Sequence, residues 1–200
     1  MFKSLFLGAA LGGITLFLWG AVSWIMMPWH MHALHQFEDE SQVAQTLTTN
    51  APVSGIYLLP NVLHAQSRTH PEIAQKERAE AAARMRQGPY AFVAVTLKGM
   101  DPTKPAPYVY ALAVDVICAL LVSGLLMQTQ ELRYLQRVWF VTIVGLVVGT
   151  ASQLPNWIWW RFSDEFTAIG FLDTVVGWLL AGIVIARFAT GKRPSLPTFR

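Results

Sequence analysis

Two acidic residues, Asp115 and Asp173, lie inside apolar stretches of the sequence, YALAVDVICALL and GFLDTVVGWLL. Two neighbouring carboxylates cannot both be ionised cheaply without a cation beside them. If the two acids meet, one carries a proton, or His30 or Arg161 pairs with them, or an ion or small ligand lies between them. The pattern therefore indicates proton, cation or small-ligand binding. The alternative is hydrogen bonding that fixes the register of helices, which contributes about 0.6 kcal/mol per bond.

The densest polar segment of the chain is PWHMHALHQFEDE, residues 28–40. If it forms one helix, His32, His35 and Asp39 share a face through steps of three and four residues. Imidazole and carboxylate groups so spaced predict a site for Zn²⁺ or Cu²⁺ with an open coordination position. The spacing is not HExxH, so an interfacial helix whose histidines meet lipid headgroups is the alternative. The sequence motifs identify no cofactor.

The composition places these residues in a membrane protein. The chain has 200 residues, of which 54% are hydrophobic and 14% are charged, whereas soluble domains average about 25% charged residues. The single cysteine, Cys118, excludes an intramolecular disulfide framework. The sequence contains no phosphate-binding loop, dinucleotide motif or recognisable nucleophile–base–acid set. It therefore indicates no enzyme class.

Four stretches reach the length of about 20 apolar residues that a helix needs to cross a bilayer. They are residues 5–27, 108–127, 138–160 and 167–188. The first stretch is longer than the core of a signal peptide, which has about 7–15 apolar residues. We therefore expect residues 1–27 to form an uncleaved membrane anchor.

Lys and Arg in the short flanks predict the orientation, because cytoplasmic loops carry the excess of positive charge. With the N-terminus inside, the inner flanks hold Lys3, Arg133, Arg137, Arg187, Lys192, Arg193 and Arg200. The outer loop 161–166 holds one basic residue, Arg161. The sequence predicts a multi-pass protein of a bacterial inner (plasma) membrane, with cytoplasmic termini, a cytoplasmic loop 128–137 and a cytoplasmic tail 189–200. The inner basic residues are expected to contact anionic lipid, and nucleic acid is not an expected partner.

In this orientation residues 28–107 lie outside, in the periplasm or the extracellular space. They are expected to form a helix opened by Pro28, a strand over 53–60, a helix over 71–87 and a strand over 90–97. A connection of about thirty residues between the strands allows a right-handed parallel pair. The predicted fold class is an all-α membrane protein with four transmembrane helices in a bundle. A small α+β insertion (helix–strand–helix–strand) separates the first two spans.

Each predicted span carries a polar residue at a similar depth, about 10 Å below the outer surface at the rise of an α-helix. These residues are Ser23, Asp115, Gln153 and Asp173. Small residues lie in register with each of them, such as Gly145 and Gly149 on the third span, and such stripes mark close helix contacts in membranes. The sequence therefore predicts an intramembrane polar layer built from these residues, with His30 and Arg161 as further partners.

Three function classes fit these observations. The first is a non-enzymatic subunit or an assembly or accessory factor of a membrane complex, with the bilayer, other membrane subunits or a second copy as partners. The second is a small ion, proton or metabolite transporter, or a quinone-binding redox partner, that uses Asp115 and Asp173. The third is a membrane metalloprotein that uses His32, His35 and Asp39. We favour them in that order, because four unrepeated spans are few for a transporter.

Overall fold

The computed structural model describes residues 2–61, 71–129 and 132–189. The described chain is mostly helical, with one small two-stranded sheet. Its elements are α1 (Phe2–Met26), α2 (Trp29–Ala33), α3 (Glu40–Asn50), β1 (Gly55–Leu59), α4 (Pro71–Gln87), β2 (Ala91–Val95), α5 (Ala106–Gln128), α6 (Tyr134–Trp160) and α7 (Asp164–Phe188). The chain divides into two compact units, one of Met1–His35 with Thr103–Arg200 and one of Gln36–Pro102.

Four helices of the first unit, α1, α5, α6 and α7, are long and apolar enough to cross a membrane. They coincide with the four predicted spans, and each begins a few residues before its predicted start, at Phe2, Ala106, Tyr134 and Asp164. The early start of α7 has a local cause, because the Ser163 hydroxyl accepts a hydrogen bond from the Phe166 N–H at 3.2 Å. This cap and the two acids of the first turn, Asp164 and Glu165, suit the positive end of a helix. A prediction based on runs of apolar residues leaves such polar first turns out of the span.

Small residues permit close approach between the four long helices. The α1 helix packs against both α5 and α7, whereas α6 packs mainly against α7. A Cβ added at Gly13 would lie 2.6 Å from the Val116 Cα on α5, and a Cβ added at Gly145 would collide with the Trp178 side chain on α7. Gly13 was not part of a predicted stripe, but Gly145 was, and an added Cβ at Gly149 would likewise lie 3.1 Å from the Phe171 Cδ2. The stripe predicted at Gly145 and Gly149 therefore lies at a helix contact. At Gly20, by contrast, an added Cβ would meet nothing within 4 Å.

The buried apolar core of this unit gathers side chains from α5, α6 and α7. It contains Ala119, Val122, Leu126, Val141, Trp178, Ala181 and Ile185, with Ala189 just after α7. The outward sides of the same helices carry many large exposed apolar side chains. This distribution is typical of membrane proteins, since a lipid-facing surface needs no polar groups.

The second unit contains the sheet, in which β1 and β2 are antiparallel. Leu59 at the end of β1 lies opposite Ala91 at the start of β2, so the connection containing α4 begins and ends at the same end of the sheet. The strands and α4 are confirmed, but the parallel pairing that we considered is wrong. A parallel crossover would have to return the chain to the opposite end of the sheet.

The single helix expected from Pro28 onward is also wrong. Helix α2 ends at Ala33, and residues 34–39 are not helical. Asp39 has non-helical backbone angles and its carboxylate accepts a hydrogen bond from the Gln42 N–H at 2.9 Å, which starts α3. Hydrogen bonds from the Ser41 hydroxyl and the Gln42 N–H hold the pKa of Asp39 below its ordinary value.

Candidate functional site

Three polar side chains from three helices meet at the C-terminal end of α1. The Ser23 Oγ of α1 lies 2.9 Å from the Nε2 of His30 on α2, and this nitrogen lies 3.6 Å from the Asp173 Oδ2 of α7. Ser23 is 0% exposed and His30 is 3% exposed. We call Ser23, His30 and Asp173 the His30 cluster. Two of its members were predicted for the polar layer, and His30 was predicted as their partner.

The interruption of the helix between α1 and α2 brings His30 to this position. Met27 and Pro28 separate the two helices, and proline at the start of a helix lacks only an N–H that would have no helical partner. The imidazole of His30 stacks on the Trp24 ring, with centroids 3.9 Å apart and an interplanar angle of 7°. Trp29 meets His30 edge-on at 6.1 Å, and its Nε1–H donates to the Ser23 Oγ at 3.1 Å.

A third tryptophan orients the α7 side of the cluster. The Trp19 Nε1–H donates to the backbone carbonyl oxygen of Asp173 at 3.0 Å. The ring of Trp19 lies over Gly177, where an added Cβ would be 3.0 Å from the Trp19 Cδ1. Glycine therefore allows the indole to lie flat enough against α7 to reach that carbonyl. The Asp173 Oδ1 is buried and has no hydrogen-bond partner within the described residues.

The contacts of His30 converge on one ring nitrogen. Its Nε2 faces two oxygens, the Ser23 Oγ and the Asp173 Oδ2, and the Ser23 Oγ already accepts a hydrogen bond from Trp29. With a proton on Nε2 the imidazole donates toward these oxygens, and with the proton on Nδ1 the Ser23 hydroxyl donates to Nε2.

A serine, a histidine and an aspartate also form the catalytic triad of hydrolases, but the geometry here differs. In a triad the serine contacts one imidazole nitrogen and the aspartate contacts the other. In the His30 cluster both oxygens approach Nε2. The Ser23 side chain is also fully buried, so a substrate carbonyl has no path to its oxygen. The cluster is therefore suited to holding a proton or a cation, not to nucleophilic attack.

The other predicted members of the polar layer lie elsewhere in the helical unit. The Gln153 side chain of α6 packs against Gly170, one turn before Asp173, where an added Cβ would be 2.9 Å from its Oε1. Arg161 is exposed and ends α6 in a left-handed conformation with φ of 59° and ψ of 36°. Within the described ranges, no hydrogen bond or ion pair joins Gln153 or Arg161 to the His30 cluster. Their participation stays a prediction.

Asp115 lies on α5, which packs mainly against α1. Its neighbour Val116 lies directly against Gly13, but Asp115 itself is only half-buried. The structure gives it no hydrogen-bond partner in residues 2–61, 71–129 and 132–189. That Asp115 and Asp173 share one layer therefore stays a prediction, and the structure brings only Asp173 into contact with Ser23 and His30.

The residues predicted as metal ligands do not share the helical face on which that prediction rested. His32 lies in α2, His35 follows it in a non-helical segment, and Asp39 caps α3. In the described part of the chain, no group of three or more His, Cys, Asp or Glu residues is placed to hold a metal ion.

Sequence reasoning did not assign the tryptophans to the site. Trp19, Trp24 and Trp29 recur at intervals of five residues, a spacing that does not place them on one face of a continuous helix. All three reach the same cluster because the helix is interrupted at Pro28 and the chain changes direction before Trp29. No protein-family model, no curated protein and no solved structure matches this chain.

Proposed function

We propose that this protein is a multi-pass inner-membrane protein and acts as a non-enzymatic accessory or assembly subunit of a membrane complex. Its four long helices form a transmembrane bundle, its termini lie in the cytoplasm, and Gln36–Pro102 lies outside the cell or in the periplasm. The observation that carries the proposal is Asp115, an acid on α5 for which the described part of the chain supplies no hydrogen-bond partner.

The position of Asp115 makes the missing partner costly. It lies about 14 Å along the helix axis from Ala106, close to the middle of α5. Neighbouring side chains on α5 are exposed and apolar, such as Val114 and Ile117. An acid at this depth is unfavourable by several kcal/mol unless it is paired or faces a polar interior.

A helix from another subunit would satisfy Asp115. Because α5 is attached to the rest of the unit mainly through α1, much of its surface is open to a neighbouring chain. A partner helix with a hydrogen-bond donor or a basic side chain at the level of Asp115 would pair with the carboxyl group. Polar side chains join transmembrane helices in this way.

Purification in mild detergent tests the accessory function. We expect another membrane protein to co-purify with the wild-type chain, and we expect D115A to lower its recovery about threefold, since an interhelical hydrogen bond contributes about 0.6 kcal/mol. D164A is the matched control, because Asp164 already accepts a hydrogen bond from the Trp157 Nε1–H at 2.6 Å. A wild-type chain that purifies alone as a monomer, or equal recovery with D115A, would contradict the proposal.

A second candidate function is proton or cation binding as part of transport, and the His30 cluster favours it. A buried imidazole beside a carboxylate with one unpartnered oxygen is suited to accepting and releasing a proton. In membrane proteins, acids and histidines within the spans commonly mark such pathways.

Flux measurements in proteoliposomes separate this candidate from a packing role. If the cluster carries protons, D173N and H30Q should each abolish pH-gradient-driven flux, whereas H32A should not, because His32 is exposed. If thermal stability falls in D173N and H30Q while flux is unchanged, the cluster only joins α1, α2 and α7.

A further inference from the structure

One side of α5 faces the interior of the helical unit. Ala119, Val122 and Leu126 are buried and belong to the apolar core that α5 shares with α6 and α7. They follow one another in steps of three and four residues, which places them on the same side of a helix. Asp115 precedes Ala119 by four residues and lies on this side too. We call this side the inner face of α5.

The outward side of α5 carries large apolar side chains. Val114, Ile117 and Leu121 are each more than half exposed. They lie one, two and six residues from Asp115, spacings that place them at least about 100° around the helix from it. The carboxyl group of Asp115 is therefore not part of the outward apolar surface.

The inner face leaves the core at Asp115. Ala119 is buried and Asp115 is half-buried, while Ala111 and Tyr108, which continue the same face toward the N-terminal end of α5, are exposed. The α5 helix packs mainly on α1 and only sparsely on α6 and α7. The inner face is therefore open from Tyr108 to Asp115, over about 10 Å of helix axis, with the carboxyl group at its closed end.

The chemistry of this open face favours a basic partner helix, if α5 spans the membrane. An acyl chain has no group that donates to a carboxylate, so it would leave Asp115 unpaired. An ordered water needs two to four polar partners, and the open face offers the carboxyl group and, two turns away, the Tyr108 hydroxyl. A basic side chain supplies the opposite charge and hydrogen-bond donors together. The small side chain of Ala111, one turn from Asp115, lets another helix approach closely.

We propose that the open inner face of α5 receives a transmembrane helix of another subunit, and that a Lys or Arg of that helix pairs with Asp115. This inference rests on the accessory function proposed above, and it adds the binding face and the charge of the partner. The partner helix lies on the side of α5 that turns toward α6 and α7, and not on the outward side.

Photocrosslinking of the full chain in intact membranes tests which face the partner occupies. A benzoylphenylalanine probe replaces Ala111 on the inner face or, as the matched control, Ile117 on the outward side, and both positions are exposed. We expect an adduct with a partner peptide from position 111 and little or none from position 117. The crosslinked peptide, identified by mass spectrometry, should lie in a transmembrane segment with a Lys or Arg within about two turns of the crosslink.

Exchange of the paired charges tests the ion pair itself. D115K should abolish co-purification of the partner that the crosslink identifies, and an Asp in place of the partner's basic residue should restore it. D115E keeps the negative charge and should retain the partner. If D115K does not fold, A111W fills the inner face from an exposed position and should expel the partner, whereas I117W should not.

The outcomes distinguish this inference from the accessory function. Adducts from position 117 that equal or exceed those from position 111 would overturn the inner face and leave the accessory function intact. A crosslinked segment without a basic residue, or an adduct between two copies of this chain, would overturn the proposed partner. A partner that co-purifies but forms no adduct from either position also overturns the inference, whereas a chain that forms no adduct and purifies alone contradicts both proposals.

Discussion

Each of three tryptophans contacts a different member of the His30 cluster. Trp19 holds the backbone of Asp173, Trp24 stacks on His30, and Trp29 donates to the Ser23 Oγ. Trp24 and Trp29 contact the side chains of His30 and Ser23, whereas the bond from Trp19 positions the backbone of Asp173 and not its carboxylate. At the scale of single residues, aromatic rings therefore support two of the three polar side chains of the cluster.

Away from the cluster, Asp39 gives a prediction on pH. Because its pKa is lowered in the folded chain, its contribution to α3 is present above the ordinary aspartate pKa and is lost as the pH falls through the lowered value. An NMR titration of the full chain should show the Asp39 carboxyl group changing charge at a lower pH than an ordinary aspartate. Protection of the Gln42 amide from hydrogen exchange should fall over the same pH range.

The Ser41 hydroxyl is the main cause of this lowered pKa. S41A should therefore raise the midpoint of Asp39 toward its ordinary value. T48A is the control, since the Thr48 hydroxyl bonds the Ala44 carbonyl oxygen and does not contact Asp39. A midpoint that is the same in wild type and S41A would mean that the Asp39–Ser41 contact is absent in solution.

The sequence identified part of the site at this scale. Intramembrane polar residues are few, so Ser23 and Asp173 stand out, and His30 stands out beside them. The sequence could not show that His30 stacks on Trp24, because that contact depends on the angle between α1 and α2. It also could not separate Asp173, which meets His30, from Asp115, for which the described residues give no such contact.

Helix contacts are governed by glycine at the scale of elements. At Gly13 the added Cβ of an alanine would press on the backbone of α5, and backbone cannot rotate away as a side chain can. At Gly20, seven residues later on the same helix, an alanine would meet open space. Glycine at the first position is needed for packing, and glycine at the second is not.

These two glycines form a matched pair for a stability measurement. G13A should lower the free energy of unfolding by about 1–3 kcal/mol, the usual cost of overpacking. G20A should leave it unchanged or raise it slightly, because alanine favours helix more than glycine does. Thermal unfolding of both variants in the same detergent is the measurement, and equal melting temperatures would show that α1 and α5 do not pack as described.

Long apolar helices were the most predictable elements, because hydropathy over about 20 residues depends on no partner. The short helices and strands were less predictable from the sequence. The strand pattern over 53–60 and 90–97 predicted β1 and β2, but strand direction depends on the path of the connection, which local sequence does not encode. The helix from Pro28 ends at Ala33, and a second helix begins after Asp39, a residue that favours a helix start even where the surrounding pattern continues.

For the whole molecule, the orientation in the membrane stays a prediction from charge. Arg133 and Arg137 at the start of α6 and Arg187 in the last turn of α7 predict that these helix ends lie in the cytoplasm. Hydropathy predicted the four helices, but it did not indicate that α1 packs against both α5 and α7. That arrangement depends on which small residues meet, a property of pairs of helices.

Cysteine labelling tests the orientation directly. In a C118S background, E80C on α4 should react with a membrane-impermeant maleimide in cells whose inner membrane is intact. L135C, an exposed position near the start of α6, should react only after permeabilisation. The wild-type chain with Cys118 alone serves as the control for a thiol within a span. Labelling of L135C in intact cells, with E80C protected, would reverse the proposed topology.

The contacts of α1 with α7 bear on how the protein is made. The ribosome synthesises α1 well before α7, yet Gly8 of α1 reaches Ala189 just past α7, and Trp19 of α1 bonds the Asp173 carbonyl oxygen. A nascent chain that contains α1 alone has its contact surfaces for both α5 and α7 uncovered. The contact with α5 can form first, but the surface of α1 that packs against α7 is covered only when nearly all of the chain has been translated.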